Sequence, residues 1–303
     1  MKRLRFSKSR RERLKRAARI LGWTAFAAGA LFFLMKSDAV HRTAEGFLSP
    51  RPETFPLEKP GIPPAFAPKR PEILPRTKAA KMAIILDDWG NNFSLLKDAV
   101  SIQRPLTVAI LPHLPQSRRI AEEARRRGLG VMLHIPMEPF GAGQPLEPHT
   151  IFRTMPDDKI VQYLEEALRS VPYVEGVNNH QGSAATTDPR VMRTVLGYLK
   201  RRGLFFVDSH VISKTVGPRI AAEVGIDFAE RDVFIDNQAE KEAIKQSLRK
   251  AKVLVKRKGE VIVIGHDKKP TLQAIKEMIP ELEKEGVQLV LVRELVKGAH
   301  GKS

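Results

Sequence analysis

The sequence predicts an α/β fold, a deformed (β/α) barrel of seven to eight units. Short apolar runs rich in β-branched residues recur along residues 79–303, and such runs are typical of parallel strands buried on both faces. Helical stretches separate most of them. Roughly eight strand–helix units in about 220 residues fit a compact barrel better than an open sheet. A doubly wound open sheet is the structural alternative, and no glycine-rich dinucleotide-binding motif supports it.

The predicted elements follow the chain in alternation. The apolar runs expected to be strands are 82–87, 107–112, 130–135, 174–178, 204–208, 226–235, 261–265 and 287–292. The stretches expected to be helices are 117–127, 157–170, 188–202, 241–257 and 271–285. Several of these helices begin near a Pro or Asp and end at a Gly, which is the usual chemistry of helix starts and stops.

The N-terminal segment has the composition of a membrane-targeting sequence. Ten Lys and Arg lie within residues 2–19, and residues 20–35 then carry no charge. A basic segment before an apolar one directs a chain to the membrane, with the basic side left in the cytoplasm. We expect residues 1–35 to be a signal anchor in a bacterial-type inner membrane, with a cleaved signal peptide as the alternative. Either route places the C-terminal domain in the periplasm or outside the cell.

The next segment, residues 36–78, is predicted to be a linker. Nine prolines lie between Pro50 and Pro75, and no apolar periodicity accompanies them. Such a composition favours an extended chain over a packed one. The remaining residues, 79–303, are the predicted catalytic domain.

The net charge of +18 does not indicate a nucleic-acid-binding protein. Residues 1–78 contain 18 Lys and Arg against 6 Asp and Glu, so they carry +12 of that charge and residues 79–303 carry +6. The C-terminal part has no basic run interleaved with aromatic residues, as a nucleic-acid groove requires. The chain has no cysteine, so a metal site must use His, Asp, Glu or Asn.

Ionisable residues end several of the predicted strands. Asp87 and Asp88 follow Met-Ala-Ile-Ile-Leu, His134 follows Val-Met-Leu, and His266 follows Val-Ile-Val-Ile-Gly. His180 ends the polar string Asn-Asn-His. The C-terminal ends of parallel strands are where α/β barrels place their active sites. The sequence therefore predicts an enzyme.

Three of these residues are candidate ligands of one divalent ion. Asp88, His134 and His180 provide an O/N/N set that leaves a position open for water, as catalytic metal sites do. Glu138, four residues after His134, is the alternative for one of the three.

The two neighbouring carboxylates are expected to have different roles in the site. Successive strand residues point to opposite faces, so Asp87 and Asp88 share one site only if the chain turns, and Trp89-Gly90 is the expected turn. One carboxylate then binds the metal and the other is free as a base. His266 is the candidate general acid, a role that suits an imidazole titrating near neutral pH.

Further strand-end residues are candidates for binding substrate or orienting the ligands. They are Asn178, Asn179, Asp208, His210, Arg231, Asp232 and Asp236. For Arg231 and Asp232 a structural ion pair is an equally good interpretation.

Six segments in order carry a family resemblance. They are Ile-Leu-Asp-Asp (85–88), Leu-His-Ile-Pro-Met-Glu (133–138), Gly-Val-Asn-Asn-His-Gln-Gly-Ser (176–183), Phe-Val-Asp-Ser-His (206–210), Arg-Asp-Val-Phe-Ile-Asp (231–236) and Ile-Gly-His (264–266). Over about residues 80–296 the chain resembles the divergent polysaccharide deacetylases, distant relatives of the NodB-homology (carbohydrate esterase 4) enzymes. The resemblance implies a NodB-like barrel that holds zinc or a similar divalent ion.

The resemblance also implies roles for individual residues. Asp87 corresponds to the base, Asp88 to a metal ligand and His266 to the acid. The typical enzymes take both ligand histidines from one His-x-x-x-His motif, whereas this chain has Glu138 at the last position of that motif. The second histidine therefore comes from another strand, with His180 the expected one, or the site has changed.

These patterns lead to an expected function and to its alternatives. We expect a metal-dependent hydrolase that removes N-acetyl groups from an envelope polysaccharide or peptidoglycan and that is tethered to the membrane by its N-terminal segment. The alternative is a catalytically inactive envelope protein of the same fold that binds glycan or a partner protein. Hydrolysis of another ester or phosphoester would use the same ligands. The chain has no G-x-S-x-G elbow, P-loop or H-E-x-x-H motif, which excludes those enzyme classes.

Overall fold

The computed structural model describes residues 80–141 and 145–296. The predicted membrane segment (1–35) and linker (36–78) lie outside the described residues, and both stay predictions. Among the helices of the described part of the chain, none is long and apolar enough to cross a membrane.

Nine parallel strands form one sheet in the described residues. They are β1 (Ala80–Trp89), β2 (Thr107–Ile110), β3 (Gly130–Met137), β4 (Gly176–Gln181), β5 (Phe205–Asp208), β6 (Phe228–Glu230), β7 (Val233–Phe234), β8 (Glu260–His266) and β9 (Val287–Val290). Their order is β6-β5-β4-β3-β2-β1-β8-β7, and β9 pairs with the first residues of β1. Every ladder is parallel, so the polar C-terminal ends of the strands share one rim.

The two ends of the sheet approach each other. The strands β6 and β7 lie at opposite ends of the strand order, yet only residues 231 and 232 separate them. The amide of Arg231 donates to the carbonyl of Asp208 on one edge (2.9 Å), and the amide of Asp232 donates to the carbonyl of Ile262 on the other (2.9 Å). The sheet is therefore curved into a parallel half-barrel with a seam at these two residues.

Seven helices surround the sheet in the described part of the chain. They are α1 (Leu96–Val100), α2 (Ser117–Arg126), α3 (Asp157–Ser170), α4 (Pro189–Arg201), α5 (Gly217–Val224), α6 (Lys241–Lys258) and α7 (Lys269–Lys284). The five predicted helices are confirmed, with ends within two residues of the expected ones. The short helices α1 and α5 were not predicted, because five and eight residues are too few for an apolar pattern of helical period to be recognised.

One expectation about the strands is corrected. The run 226–235 was predicted as one strand, but it forms β6 and β7 on opposite edges of the sheet. Apolar content alone could not reveal the break, because the chain changes hydrogen-bonding partner at the seam. The eight expected strands therefore become nine, and the expected barrel of parallel strands and helices is confirmed as a half-barrel.

Alternation along β1 divides the core into two layers. Met82, Ile84 and Leu86 pack outwards into the layer beneath the helices. Ala83 and Ile85 point into the barrel, where they meet residues such as Met132. All five β1 residues are fully buried, so the strand that carries the two aspartates is held rigidly at the centre of the sheet.

Candidate metal centre

Three side chains from three strand ends meet at the C-terminal rim. His180 Nδ1 lies 3.0 Å from Asp88 Oδ1, His134 Nε2 lies 3.3 Å from the same oxygen, and the two ring nitrogens are 3.1 Å apart. Ligand atoms of a tetrahedral zinc ion, each about 2.0–2.1 Å from the metal, lie roughly 3.3 Å from one another. The three atoms therefore form a triangle of the size that one face of such a site requires.

The chemistry of this triangle also fits a cation. Asp88 Oδ1 is buried, and no described residue donates a well-directed hydrogen bond to it, although two imidazole nitrogens are close. A buried carboxylate oxygen without a donor is costly. A divalent ion would satisfy that oxygen and both nitrogens at once, and Asp88, His134 and His180 are the only described residues that form such a group.

A local backbone irregularity brings both aspartates to the site. Asp88 has a φ of +67°, a left-handed conformation that Asp tolerates better than most residues. The register between β1 and β2 shifts between Leu86 and Trp89. The chain thus changes direction at Asp88, within β1 and one residue before the expected turn at Trp89-Gly90, and this is why the adjacent carboxylates of Asp87 and Asp88 both face His134.

Asn178 connects the ligand His134 to the carboxylate of Asp87. Its side-chain amide donates to Asp87 Oδ1 (2.9 Å), and its side-chain oxygen lies 2.9 Å from His134 Nδ1. Because a carboxylate only accepts, the amide group must face Asp87 and the oxygen must face the imidazole. His134 therefore carries a proton on Nδ1 and presents Nε2 to the triangle. Asn178 thus fixes the orientation of His134, as outer-shell partners of metal-binding histidines do.

The charged groups shift one another's pKa. Burial raises the pKa of Asp87. Burial alone would also raise the pKa of Asp88, but the imidazoles of His134 and His180 outweigh it and hold that pKa far below its usual range. Burial opposes the charged form of His134, yet Asp87 and Asp88 raise its pKa to about 9. A divalent ion would displace this proton, so binding is expected to release protons.

His266 faces the triangle from the other side of β1. Its Nε2 lies 3.8 Å from Asp88 Oδ2. Its Nδ1 lies 2.8 Å from Asp236 Oδ1, and its backbone amide donates to Asp236 Oδ2 (2.8 Å). Burial lowers the pKa of His266, but Asp236 reverses this and the net shift is upwards. The imidazole is thereby fixed with Nε2 towards the site.

Other candidate residues have their polar atoms engaged elsewhere. Glu138 forms a bidentate pair with Arg153 (3.1 Å for both contacts) and is not part of the triangle. The Asp208 carboxylate accepts from the His210 amide (2.7 Å) and from the Thr215 hydroxyl (2.6 Å). The predicted part of Asp208 in substrate binding or ligand orientation stays a prediction.

Asn179 and the seam residues also form structural contacts. Asn179 accepts from the Ser209 amide (2.9 Å). The Arg231 guanidinium donates to the carbonyls of Ser209 (2.6 Å) and His210 (2.8 Å), and Asp232 accepts from the amide of Ile262 (2.8 Å) while pairing with a lysine. With the His210 side chain, Arg231 and Asp232 line a cavity of about 570 Å³ at the seam. Their roles towards substrate remain predictions.

Two residues that hold site side chains in place were not predicted from the sequence. The hydroxyl of Thr271 donates to Asp236 Oδ2 (2.7 Å), and Arg153 fixes Glu138. Thr271 is fully buried in the first turn of α7. The only signal in the sequence was its position five residues after His266, which does not reveal a contact with the loop after β7.

The fold and the rim site define a known class of proteins. Residues 84–296 match the family of divergent polysaccharide deacetylases. The match covers well over half of the chain, and the chain belongs to this family. The resemblance predicted from the six segments is thus confirmed.

Particular relatives agree with this assignment. The chain is 34% identical over 204 residues to the uncharacterized protein YibQ of Escherichia coli K12, a match covering 67% of this chain and 64% of that protein. It is 32% identical over 213 residues to an uncharacterized protein of Haemophilus influenzae, covering 70% of this chain and 75% of the relative. A crystal structure of an uncharacterized protein from Agrobacterium tumefaciens C58 has the same fold, with a TM-score of 0.69 at 23% identity over 72% of this chain and 90% of that one.

Proposed function

We propose that this protein is a metal-dependent amide hydrolase that removes N-acetyl groups from an envelope polysaccharide. The observation that carries the proposal is the triangle of Asp88, His134 and His180, with a buried carboxylate beside it and an anchored imidazole across it. A divalent ion such as zinc, when bound by the three ligands, supplies Lewis-acid chemistry towards an acetyl carbonyl and lowers the pKa of water.

Asp87 is the proposed general base. Asn178 occupies its Oδ1, which leaves Oδ2, 3.7 Å from His134 Nε2, as the oxygen that faces the site. Burial raises the pKa of Asp87, and a carboxylate whose pKa is raised towards the working pH is a stronger base than an ordinary aspartate. Oδ2 can therefore accept the proton of a water that attacks the acetyl carbon.

His266 is the proposed general acid. Asp236 fixes Nδ1, so Nε2 is the atom that can give a proton to the departing amine. The raised pKa of His266 keeps the imidazole protonated to higher pH. The strand that carries the acid, β8, thus lies on the opposite side of β1 from the strands of the two histidine ligands.

The proposed substrate and location rest on the family and on the N-terminus. Membership of a polysaccharide deacetylase family supports an N-acetylated glycan, including peptidoglycan. The basic and apolar residues 2–35 support tethering to a bacterial-type inner membrane, with the domain in the periplasm or outside the cell. Cleavage of that segment would release the domain into the same compartment.

Acetate release tests the proposal. The full-length, zinc-loaded protein is incubated with peptidoglycan glycan strands and with N-acetylglucosamine oligomers, and acetate is measured with and without a chelator. Release that the chelator abolishes and zinc restores is the expected result. Glycan binding without any acetate release would instead identify a non-catalytic envelope protein of the same fold.

A further inference from the structure

An exposed aromatic ring stands on the rim beside the histidine ligands. Phe140 follows β3, the strand of His134, and its side chain is 50% exposed. Its backbone amide donates to the hydroxyl of Ser183 (2.8 Å), three residues after His180. The backbone of Phe140 thus connects the ends of the two strands that provide both imidazoles of the candidate metal centre.

The ring is held in place by a network around one of its faces. The Arg153 guanidinium lies 5.3 Å from the centre of the Phe140 ring. Arg153 is itself fixed by Glu138, with two side-chain contacts of 3.1 Å and a hydrogen bond of 2.7 Å from its backbone amide. The carbonyl of Glu138 accepts from the amides of Ala184 (2.9 Å) and Ala185 (3.0 Å), so both strand ends support the arrangement.

Stability does not explain this network. The side chains of Arg153 and Glu138 are 41% and 21% exposed, and ion pairs near the surface contribute only about 0–1 kcal/mol. A single exposed aromatic is ordinary on a protein surface. Phe140 differs in that the Arg153 guanidinium lies over one face of its ring while half of the residue stays exposed to solvent.

We propose that Phe140 is a stacking platform for one sugar ring of the glycan. The proposal rests on the proposed function, because it names a residue that would contact the glycan substrate of that same site. The charges of Glu138 and Arg153 cancel, so the platform suits an uncharged sugar, whose apolar C–H face can stack on the exposed part of the ring. Its hydroxyls then point to water and to the polar rim.

The platform receives a sugar other than the one that loses its acetyl group. The proposed acid, His266, ends β8, whereas Phe140 follows β3, and two strands lie between these in the sheet. The amine that leaves belongs to the sugar nearest His266. The sugar that stacks on Phe140 is therefore a neighbouring sugar of the same glycan strand. The site is expected to favour oligosaccharides over monosaccharides.

Binding of a pentamer of N-acetylglucosamine to the full-length protein, measured by titration calorimetry, tests the proposal. Phe140→Ala is expected to weaken pentamer binding about tenfold, the usual upper range for loss of one aromatic contact. Phe140→Trp is expected to keep the wild-type affinity, and Phe140→Leu to lose most of it. Tyr173→Ala removes another exposed aromatic (57% exposed) at the opposite end of β4, and it is the matched control that should bind like wild type.

The outcomes distinguish failure of the Phe140 proposal from failure of the proposed hydrolase function. Equal affinity of wild type and Phe140→Ala, or absence of pentamer binding by wild type, overturns the platform. Pentamer binding that depends on Phe140 but is accompanied by no acetate release supports the platform and contradicts the proposed hydrolysis. Acetate release with a KM that Phe140→Ala does not change supports hydrolysis and overturns the platform. Metal content and thermal unfolding of each variant show whether it has folded.

Discussion

Replacing Asn178 by alanine should weaken metal binding strongly, although Asn178 is not one of the three candidate ligands. Asn178 is fully buried and is not one of the three ligands, but its side chain hydrogen-bonds both Asp87 and the ligand His134. Without it, the imidazole is free to turn and to change the nitrogen that carries its proton. Loss of an outer-shell partner of this kind costs about 10- to 100-fold in metal affinity.

The cost to stability follows from the same two contacts. Asn178→Ala leaves Asp87 Oδ1 and the Nδ1–H of His134 buried without partners, and each such group costs about 1–3 kcal/mol. The variant should therefore lose about 2–6 kcal/mol of unfolding free energy when no metal is present. Zinc should restore part of this loss, because a ligand that binds only the folded state stabilises it.

The assay is zinc affinity by competition with a chelator, with thermal unfolding measured on the same samples. Asn179→Ala is the matched control, since Asn179 is equally buried on the same strand but bonds the Ser209 amide and the carbonyl of Gln181. The Asn179→Ala control should unfold at a lower temperature than the wild type. Its zinc affinity should differ from that of the wild type by less than about threefold. Wild-type zinc affinity in Asn178→Ala, or an equal loss in both variants, would refute the reasoning.

Three further predictions concern the base, the acid and the packing of the sheet. Asp87→Asn should lower turnover by about 10²–10⁴-fold, the usual contribution of a general base, while atomic absorption still finds the metal. Asp236→Asn removes the charge that raises the pKa of His266, so that pKa should fall and the alkaline limb of the turnover–pH profile should move to lower pH. Gly176→Ala should lower the unfolding free energy by about 1–3 kcal/mol or more, because a Cβ there would lie 2.1 Å from the Phe205 ring; thermal unfolding measures it.

Each of these predictions has an outcome that contradicts it. Retained acetate release in Asp87→Asn would remove Asp87 from the mechanism. An unchanged alkaline limb in Asp236→Asn would show that His266 is not the acid. For the packing change, Gly197→Ala in α4 is the control, since its Cβ would approach nothing closer than 3.8 Å and should be neutral or stabilising; a Gly176→Ala variant as stable as this control would contradict the packing argument.

The meeting of the three candidate ligands could be predicted from the sequence. Asp88 and His134 lie at the ends of apolar runs, His180 ends a polar string just after a predicted strand, and parallel strands place their C-terminal ends on one rim. The order of the runs and the type of each residue were enough to predict a common site. The alternative ligand Glu138 lies outside the triangle and pairs with Arg153, a contact that its spacing from His134 does not reveal.

Other features depend on contacts that no local pattern encodes. The predicted strand 226–235 divides into β6 and β7 because the consecutive amides of Arg231 and Asp232 donate to the carbonyls of Asp208 and Ile262. These two carbonyls lie on opposite edges of the seam. Asp236 could be named as an orienting residue, but its partner His266 and the buried Thr271 are 30 and 35 residues away in the chain. The support of Phe140 by Arg153 likewise arises only once the loop after β3 has folded back.

The most direct test of the metal-dependent site is the metal content of the full-length protein, measured beside the Asp88→Ala and His180→Ala variants. The structure predicts about one divalent ion per chain in the wild type and its loss in both variants, with thermal unfolding showing that they remain folded. No bound metal after reconstitution with zinc, or the same metal content in the folded variants, would contradict the proposed hydrolase.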